Sequence, residues 1–422
     1  MSSKIRVFAR RLGSGTNKPI YLQEKYSNFV PRPLSADDLI LFADKNSVEK
    51  SFEFLKQELP TRWMQIFAEI NALPIEKPSP LMLEVKSMIQ ETLENLLPFK
   101  DQPATENVIS KFNSKLEDYI HRHRTAFDEV ALAILEFKDE QVEMAEKGLT
   151  TFDLDDAEEK VHYFLDRYFT TLVSTSLIIH QHLVVCFHRN PVLILGMNSD
   201  RNKRETVQRT NVTKEIRKIA SRIEIECEKY YGKTPQVKIT EFDMGKATNN
   251  SQINTIFIPT HLEQICAELI RNAVRATVEN NLDLPPVEII ISRAKENITI
   301  KISDHGKGAS LHEQAKWGAY LYTNPPEQST SKMPIVEPLA GYGYGIPLAA
   351  VYARYLGGDV VIQSLQNYGT DVVIYLRSNA EDLKEVLPVF TAKTKEYYNS
   401  QNRKKTWISG KSSEKGDIVF NG

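Results

Sequence analysis

The sequence predicts an α+β fold in which an antiparallel helical bundle is followed by an α/β sandwich. Three observations predict it. From Leu34 to Phe187 apolar residues recur at helical spacing and glycine is scarce. From Val212 onward short alternating runs rich in Ile and Val take turns with amphipathic runs. Asn190-Pro191 opens a polar, irregular stretch between the two textures.

In the first half, Leu39, Ile40, Phe42 and Ala43 form one helical stripe. A second contains Phe52, Leu55, Leu59, Trp63, Ile66, Phe67 and Ile70, with Pro60 inside it, where a kink is expected. Thr105 to Lys147 and Asp155 to Phe187 are two further long helical stretches. Long amphipathic helices with short connections predict an antiparallel bundle. His188 to Arg209 reads as a linker or strap. Helices are then expected at Val212 to Tyr231, Leu262 to Glu279 and Ile346 to Leu356. Strands are expected at Val237 to Phe242, Asn254 to Ile258, Val287 to Ala294 and Asn297 to Asp304. A hairpin pairs Asp359 to Leu365 with Thr370 to Leu376 across Asn367-Tyr368-Gly369. Asn324 to Leu339 is a Pro/Ser/Thr-rich loop, and the tail after Asn379 is partly helical, then polar. Helices should cover one face of a mixed sheet. The implied division is 1–25, a basic segment; 26–188, the bundle; 189–209, the linker; 210–378, the sandwich; and 379–422, the tail.

The 422 residues suffice for two or three domains. A net charge of -2 gives no bulk attraction for nucleic acid. No apolar run approaches the roughly 20 residues that span a bilayer. Cys186, Cys227 and Cys266 lie far apart, so neither a zinc site nor a disulfide framework is expected, and a reducing compartment fits. The N-terminus differs from the rest: Lys4, Arg6, Arg10, Arg11 and Lys18 precede the first acid, Glu24. That composition suits a mitochondrial transit segment, and equally a disordered basic tail.

Three clusters carry chemistry. Glu268 and Asn272 are one helical turn apart in Glu-Leu-Ile-Arg-Asn-Ala-Val-Arg-Ala, residues 268–276. An amide oxygen is a hard ligand suited to Mg²⁺, and the carboxylate can bind a metal water or accept a proton from a nucleophile. Asp304 ends a strand and is followed by Gly306 and Gly308. Its carboxylate can accept an adenine amino group while the glycines let the backbone turn beside the base. Gly341, Gly343 and Gly345 precede a helix with Pro347 in its first turn, which makes a phosphate site from backbone amides. Taken singly, each cluster is more simply a solvated helix face, an Asp-Gly turn or a loop. In this order they describe a pocket for ATP and Mg²⁺.

Other phosphate motifs fail. Gly410-Lys411-Ser412 lacks the upstream glycine of a P-loop, because Lys405 stands there. The His-Arg-Asp and Asp-Phe-Gly elements of ordinary protein kinases are absent. The histidines at 121, 123, 180 and 182 read as core or helix-surface residues.

The three clusters resemble those of the superfamily of gyrase, Hsp90, histidine kinases and MutL, the GHKL ATPases. Residues 268–279, 341–347, Tyr163-Phe-Leu-Asp-Arg-Tyr168, residues 368–376 and Glu58-Leu-Pro-Thr-Arg62 together resemble the mitochondrial 2-oxo-acid dehydrogenase kinases, over about Tyr26 to Leu376. The resemblance implies a protein-serine kinase in the mitochondrial matrix that acts on the E1α subunit of pyruvate dehydrogenase. It implies a homodimer that binds the lipoyl domain of the dihydrolipoyl acyltransferase core. Glu268 would be catalytic and Asn272 would hold Mg²⁺. Asp304 would read adenine with Thr370, the glycines would cradle phosphates, and Arg275 would reach one. Tyr322 and Thr323 would sit near base or ribose. The branched-chain dehydrogenase kinase and a non-catalytic ATP-binding regulator are the alternatives. A histidine kinase is disfavoured, since no His-Glu phosphoacceptor helix is present.

Departures from the family pattern are specific. Gln264 stands where pyruvate dehydrogenase kinases usually carry a His one turn before the catalytic Glu. Thr171 to Ile178 lacks the usual arginines. Lys405-Thr406-Trp407 resembles the Asp-Trp tail that crosses to the other subunit, with Thr406 in place of Asp. Arg122-His123 matches the family's Arg-His pair, a candidate for binding an acid or for lying near the active site.

Overall fold

The computed structural model describes residues 30–45, 48–73, 80–123, 130, 154–189, 206–244, 253–280, 283–320 and 343–399. The basic N-terminus, Tyr322, Thr323, Gly341 and Thr406-Trp407 lie outside them.

Among the described residues, five α-helices make the first half: α1 (Ala36–Lys45), α2 (Val48–Ala72), α3 (Pro80–Leu96), α4 (Glu106–His123) and α5 (Leu154–Arg189). Their apolar stripes meet in one core. Phe52, Leu55, Leu59, Trp63 and Phe67 of α2 are buried, as are Phe164, Leu165, Tyr168, Phe169 and Leu172 of α5. Each such side chain taken from water contributes roughly 1.5–3 kcal/mol. α2 runs 25 residues through Pro60 as one helix. The Thr61 hydroxyl donates to the Gln57 carbonyl (2.8 Å) in the turn that the proline crowds. His182 serves packing here, while His121 is exposed. His182 is fully buried between Ser51 Oγ (2.5 Å) and Asn113 Oδ1 (2.9 Å), and burial depresses its pKa to about 3. One stretch of α5, Glu158–Cys186, is long and apolar enough to cross a membrane, but 83% of its most apolar window is buried in the protein. The sequence expectation of no such run is corrected to that extent: this is the central helix of the bundle.

The second half begins sooner than the predicted linker allows, because Gln208–Asn211 is a strand, β1, not irregular chain. It pairs antiparallel with β3 (Asn254–Phe257) in a small separate sheet. Neither strand alternates long enough to show which sheet it joins. α6 (Val212–Tyr231) starts at Asn211, whose side chain accepts the Lys214 amide, and stops at Gly232 in a left-handed conformation. α7 (Pro259–Asn280) packs beside it. The main sheet has the order β2-β4-β5-β7-β6. Its strands are β2 (Val237–Asp243), β4 (Val287–Arg293), β5 (Asn297–Ser303), β6 (Asp359–Leu365) and β7 (Gly369–Arg377). Only β2 and β4 are parallel, so the sheet is mixed, as expected.

The strands bury one face. Ile289 and Ile291, Ile298, Ile300 and Ile302, and Val372, Ile374 and Leu376 face the core formed with α7 and with α9 (Gly345–Tyr355). The opposite face keeps Phe242, Val361 and Tyr375 exposed. A short helix, α8 (Leu311–Gln314), and a terminal one, α10 (Ala392–Asn399), complete the described chain.

Candidate active site

The site forms along one stripe of α7. Leu262, Ile265, Cys266, Leu269, Ile270, Ala273 and Val274 bury the other side of this helix. Gln264, Glu268, Asn272 and Ala276, spaced four apart, therefore share one exposed-to-intermediate edge. The start of α9 meets this edge at Glu268. A Cβ placed on Gly345 would stand 2.8 Å from Glu268 Oε2 and 3.2 Å from Glu268 Cβ. The turn after β5 meets the same edge two helical turns further on. A Cβ on Gly306 would stand 2.8 Å from Ala276 Cβ. Asn272 is exposed midway between these two contacts.

Asp304 is buried at the end of β5. Its Oδ1 accepts the amides of Gly306 (2.8 Å) and Thr370 (3.2 Å). Its own amide donates to the Thr370 carbonyl (3.0 Å). Among the described residues no donor is recorded for Oδ2. Burial pushes the carboxyl up to about 6, against the pull of the two amides. A buried carboxylate with one oxygen fixed and the other lacking a donor fits recognition of an amino group. The turn is fastened to the β6–β7 hairpin: Thr370 Oγ1 and Ser364 Oγ are 3.0 Å apart, and Ser364 Oγ accepts the Ala309 amide. Gly308 has φ +59, and a Cβ there would lie 1.9 Å from the Leu365 carbonyl oxygen.

Gly343, at φ +81, leads into α9. Leu348 N donates to the Tyr344 carbonyl (2.9 Å). The N–H groups of Gly345 and Ile346 have no acceptor within the helix, and Pro347 has none to offer. No acceptor for them is present among the described residues, and amides at the positive end of a helix dipole suit a phosphate.

Some predicted residues have other partners. Arg275 Nε donates to Glu279 (3.0 Å), which also accepts the Tyr231 hydroxyl (2.6 Å). Reaching a phosphate would require that pair to open. Glu268 takes its partner from Arg271, which also lies 3.5 Å from Glu226 of α6. Gln264 is exposed, and among the described residues it makes no hydrogen bond to Glu268. Arg122 and His123 have different partners. Arg122 pairs with Glu91 (3.3 Å), while His123 is buried beside Thr92 (3.1 Å), its pKa depressed by burial to about 3.

Sequence reasoning missed the contact between this site and the bundle. The Tyr320 hydroxyl donates to Asp166 of α5 (2.6 Å), and the rings of Tyr320 and Tyr344 both lie against Phe169. Asp166 and Phe169 fall in or beside the Tyr163–Tyr168 string, and their partners Tyr320 and Tyr344 lie so far along the chain that no local pattern links them.

A helix edge bearing Glu and Asn, an Asp-Gly turn at a strand end and a glycine-led helix start together define a GHKL-type ATPase site. Residues 257–380 match the family described as histidine kinase-, DNA gyrase B- and HSP90-like ATPase. Residues 33–208 match the mitochondrial branched-chain alpha-ketoacid dehydrogenase kinase family. The isozyme 4 pyruvate dehydrogenase (acetyl-transferring) kinase of Ictidomys tridecemlineatus is 33% identical over 400 residues, covering 91% of this chain and 90% of its own. The corresponding kinase of Ascaris suum is 32% identical over 408 residues, covering 94% and 96%. That of Drosophila melanogaster is 30% identical over 408 residues, covering 94% of both. The chain belongs to the pyruvate dehydrogenase kinase family and is a kinase.

Proposed function

We propose that this kinase transfers the γ-phosphoryl group of Mg-ATP to a serine of the E1α subunit of pyruvate dehydrogenase, inactivating it, in the mitochondrial matrix. The observation that carries the reading is the single edge of α7 on which Glu268 meets the start of α9, Asn272 stands open, and Ala276 meets the Asp304–Gly306 turn. Three functional parts on one rigid helix hold a nucleotide at both ends and leave a metal ligand between them.

Phosphoryl transfer asks a protein mainly for position and charge neutralisation. In this reading Glu268 accepts or orients the serine proton, and Arg271 fixes the carboxylate before substrate arrives. Asn272 holds Mg²⁺, which when bound neutralises charge on the phosphates. Asp304 reads the adenine amino group with support from Thr370. Gly306 and Gly308 shape the wall beside the base, and Gly341, Gly343 and Gly345 line the phosphates. Tyr322 and Thr323 border base or ribose, and Arg275 joins the phosphates once released from Glu279. Residues 210–378 form the catalytic unit and 26–188 the bundle, which engages the lipoyl domain of the acyltransferase core. A homodimer is supported by the apolar side chains on the sheet face left open by the described residues, Phe242, Val361, Leu365 and Tyr375.

A second reading is favoured by one finding, the match of residues 33–208 to the branched-chain kinase family. It keeps the chemistry and changes the E1. Labelled ATP with purified pyruvate and branched-chain E1 in parallel, followed by mapping of phosphoserine, decides between them. Label on pyruvate E1α is expected. Label on branched-chain E1 alone would overturn the substrate assignment, and no transfer to either would overturn the reaction.

A further inference from the structure

The far end of α9 is tied into the bundle by a buried ionic network. Arg62 of α2 and Glu385 are 1% and 0% exposed at their side chains. Arg62 Nη1 donates to Glu385 Oε1 (2.8 Å) and Nη2 to Oε2 (2.7 Å), a bidentate pair. Arg62 Nε donates to Glu58 (2.9 Å), so both ends of the Glu58–Arg62 string are used. The Tyr355 hydroxyl, on the last residue of α9, donates to Glu385 Oε1 (2.5 Å). Val386 N donates to the Tyr355 carbonyl (2.8 Å), so the same short segment also caps the end of the helix. Glu385 Oε2 accepts the Leu34 amide as well (2.9 Å). Burial works against the charge of Arg62, but Glu385 and Glu58 outweigh it and hold the guanidinium protonated.

Such a network is a poor way to gain stability, since apolar residues of equal volume often do as well. What it supplies is a fixed geometry, because every donor and acceptor must meet its partner. The helix it fixes has 11 residues and is about 16 Å long. Its other end carries Gly345 against Glu268. Tyr352 and Tyr355 also pack on His261, in the first turn of α7, the helix that bears Glu268 and Asn272. A shift at Tyr355 is therefore a shift at the phosphate-facing amides.

We infer that Arg62, Glu385 and Tyr355 are positioning residues for phosphoryl transfer, a strut from bundle helix α2 that sets the start of α9 against Glu268. The inference rests on the reading of that helix start as the phosphate site. Nothing in the strut touches the reacting atoms; it acts through α9. Small misplacements of reacting groups have large kinetic effects, which gives a remote strut its leverage.

Tyr355→Phe removes one hydroxyl and keeps the ring. Tyr398→Phe is the matched control. Its hydroxyl donates to Glu69 (3.1 Å) in a second buried ion pair, Glu69 with Arg167, which does not include α9. ATP affinity is measured by calorimetry, transfer by kcat and KM, and melting temperature for both variants. Tyr355→Phe is expected to weaken ATP binding and raise KM for ATP on the order of tenfold, because the start of α9 loses its set position. Tyr398→Phe is expected to lower the melting temperature and leave ATP affinity unchanged. Wild-type ATP affinity in Tyr355→Phe, or equal loss in both variants, would overturn the strut as a positioning device. Gly345→Ala, measured alongside, separates the two readings: wild-type ATP affinity in Gly345→Ala would mark failure of the phosphate-site reading, whereas weakened affinity there with wild-type affinity in Tyr355→Phe would mark failure of the strut alone.

Discussion

Gly345 leaves no room for a side chain beside Glu268: a methyl group there would stand 2.8 Å from the carboxylate oxygen Oε2. The start of α9 can thus approach the proposed proton acceptor this closely because the residue there is glycine. Gly345→Ala is expected to push Glu268 or the helix start aside. Transfer should fall by about 10²-fold, as for comparable misplacements. Overpacking of this kind costs roughly 1–3 kcal/mol of stability. Steady-state kinetics and thermal melting check both. Full activity in the variant would show that the contact is incidental.

Asp304 gives a pH dependence with a definite sign. Its folded pKa is about 6, above the ordinary 3.8, because of burial. Its contribution to stability is complete below about 3.8 and is lost as pH rises through 6, so the nucleotide-free protein carries a buried charge at neutral pH. Adenine donating to Oδ2 needs the ionised form. ATP affinity should be level above pH 7 and fall by up to tenfold per pH unit below 6. Asp304→Asn should melt higher than wild type at pH 8 without nucleotide. It should bind ATP more weakly by roughly 1–3 kcal/mol, the cost of an unmet buried donor. Calorimetry across pH 5–8 tests this, and a flat profile that matches Asp304→Asn would reduce the residue to a turn former.

The Glu69–Arg167 pair should behave as structure alone. Arg167 Nε lies 2.6 and 2.7 Å from the two oxygens of Glu69, which is fully buried. Arg167→Ala leaves an uncompensated buried carboxylate, expected to cost about 3–5 kcal/mol. Denaturant unfolding should register the loss, while the variant that remains folded binds ATP normally.

What the sequence showed and what it hid divide by range. β4 and β5 were visible because Ile289/Ile291 and Ile298/Ile300/Ile302 alternate within seven residues. α7 was visible because its buried positions recur every three or four residues, and Glu268 and Asn272 stand on its open edge for the same reason. Asp304 and Gly345 were noticed as glycine-flanked turns, but their meeting with α7 depends on contacts far apart in the chain. Arg62 and Glu385 are 323 positions apart, and no local pattern links them. The strand Gln208–Asn211 was hidden because four polar residues, QRTN, alternate in no visible way. Helix α3, Pro80–Leu96, was covered only by the general helical texture, since its stripe was not separated from its neighbours. Arg271 was read as part of a string, and its pairing with Glu268 appears only when side chains are placed.

Glu268→Gln separates binding from chemistry within one residue. The substitution is nearly isosteric and changes one partly buried contact, the ion pair with Arg271, so the fold should be intact. ATP affinity by calorimetry and single-turnover transfer from labelled ATP to purified E1 are measured side by side. Unchanged affinity with transfer reduced about 10²–10⁴-fold is expected if Glu268 accepts or orients the serine proton. Near wild-type phosphorylation of E1 by Glu268→Gln would remove this residue from the reaction and contradict the assignment of the α7 edge as the catalytic site.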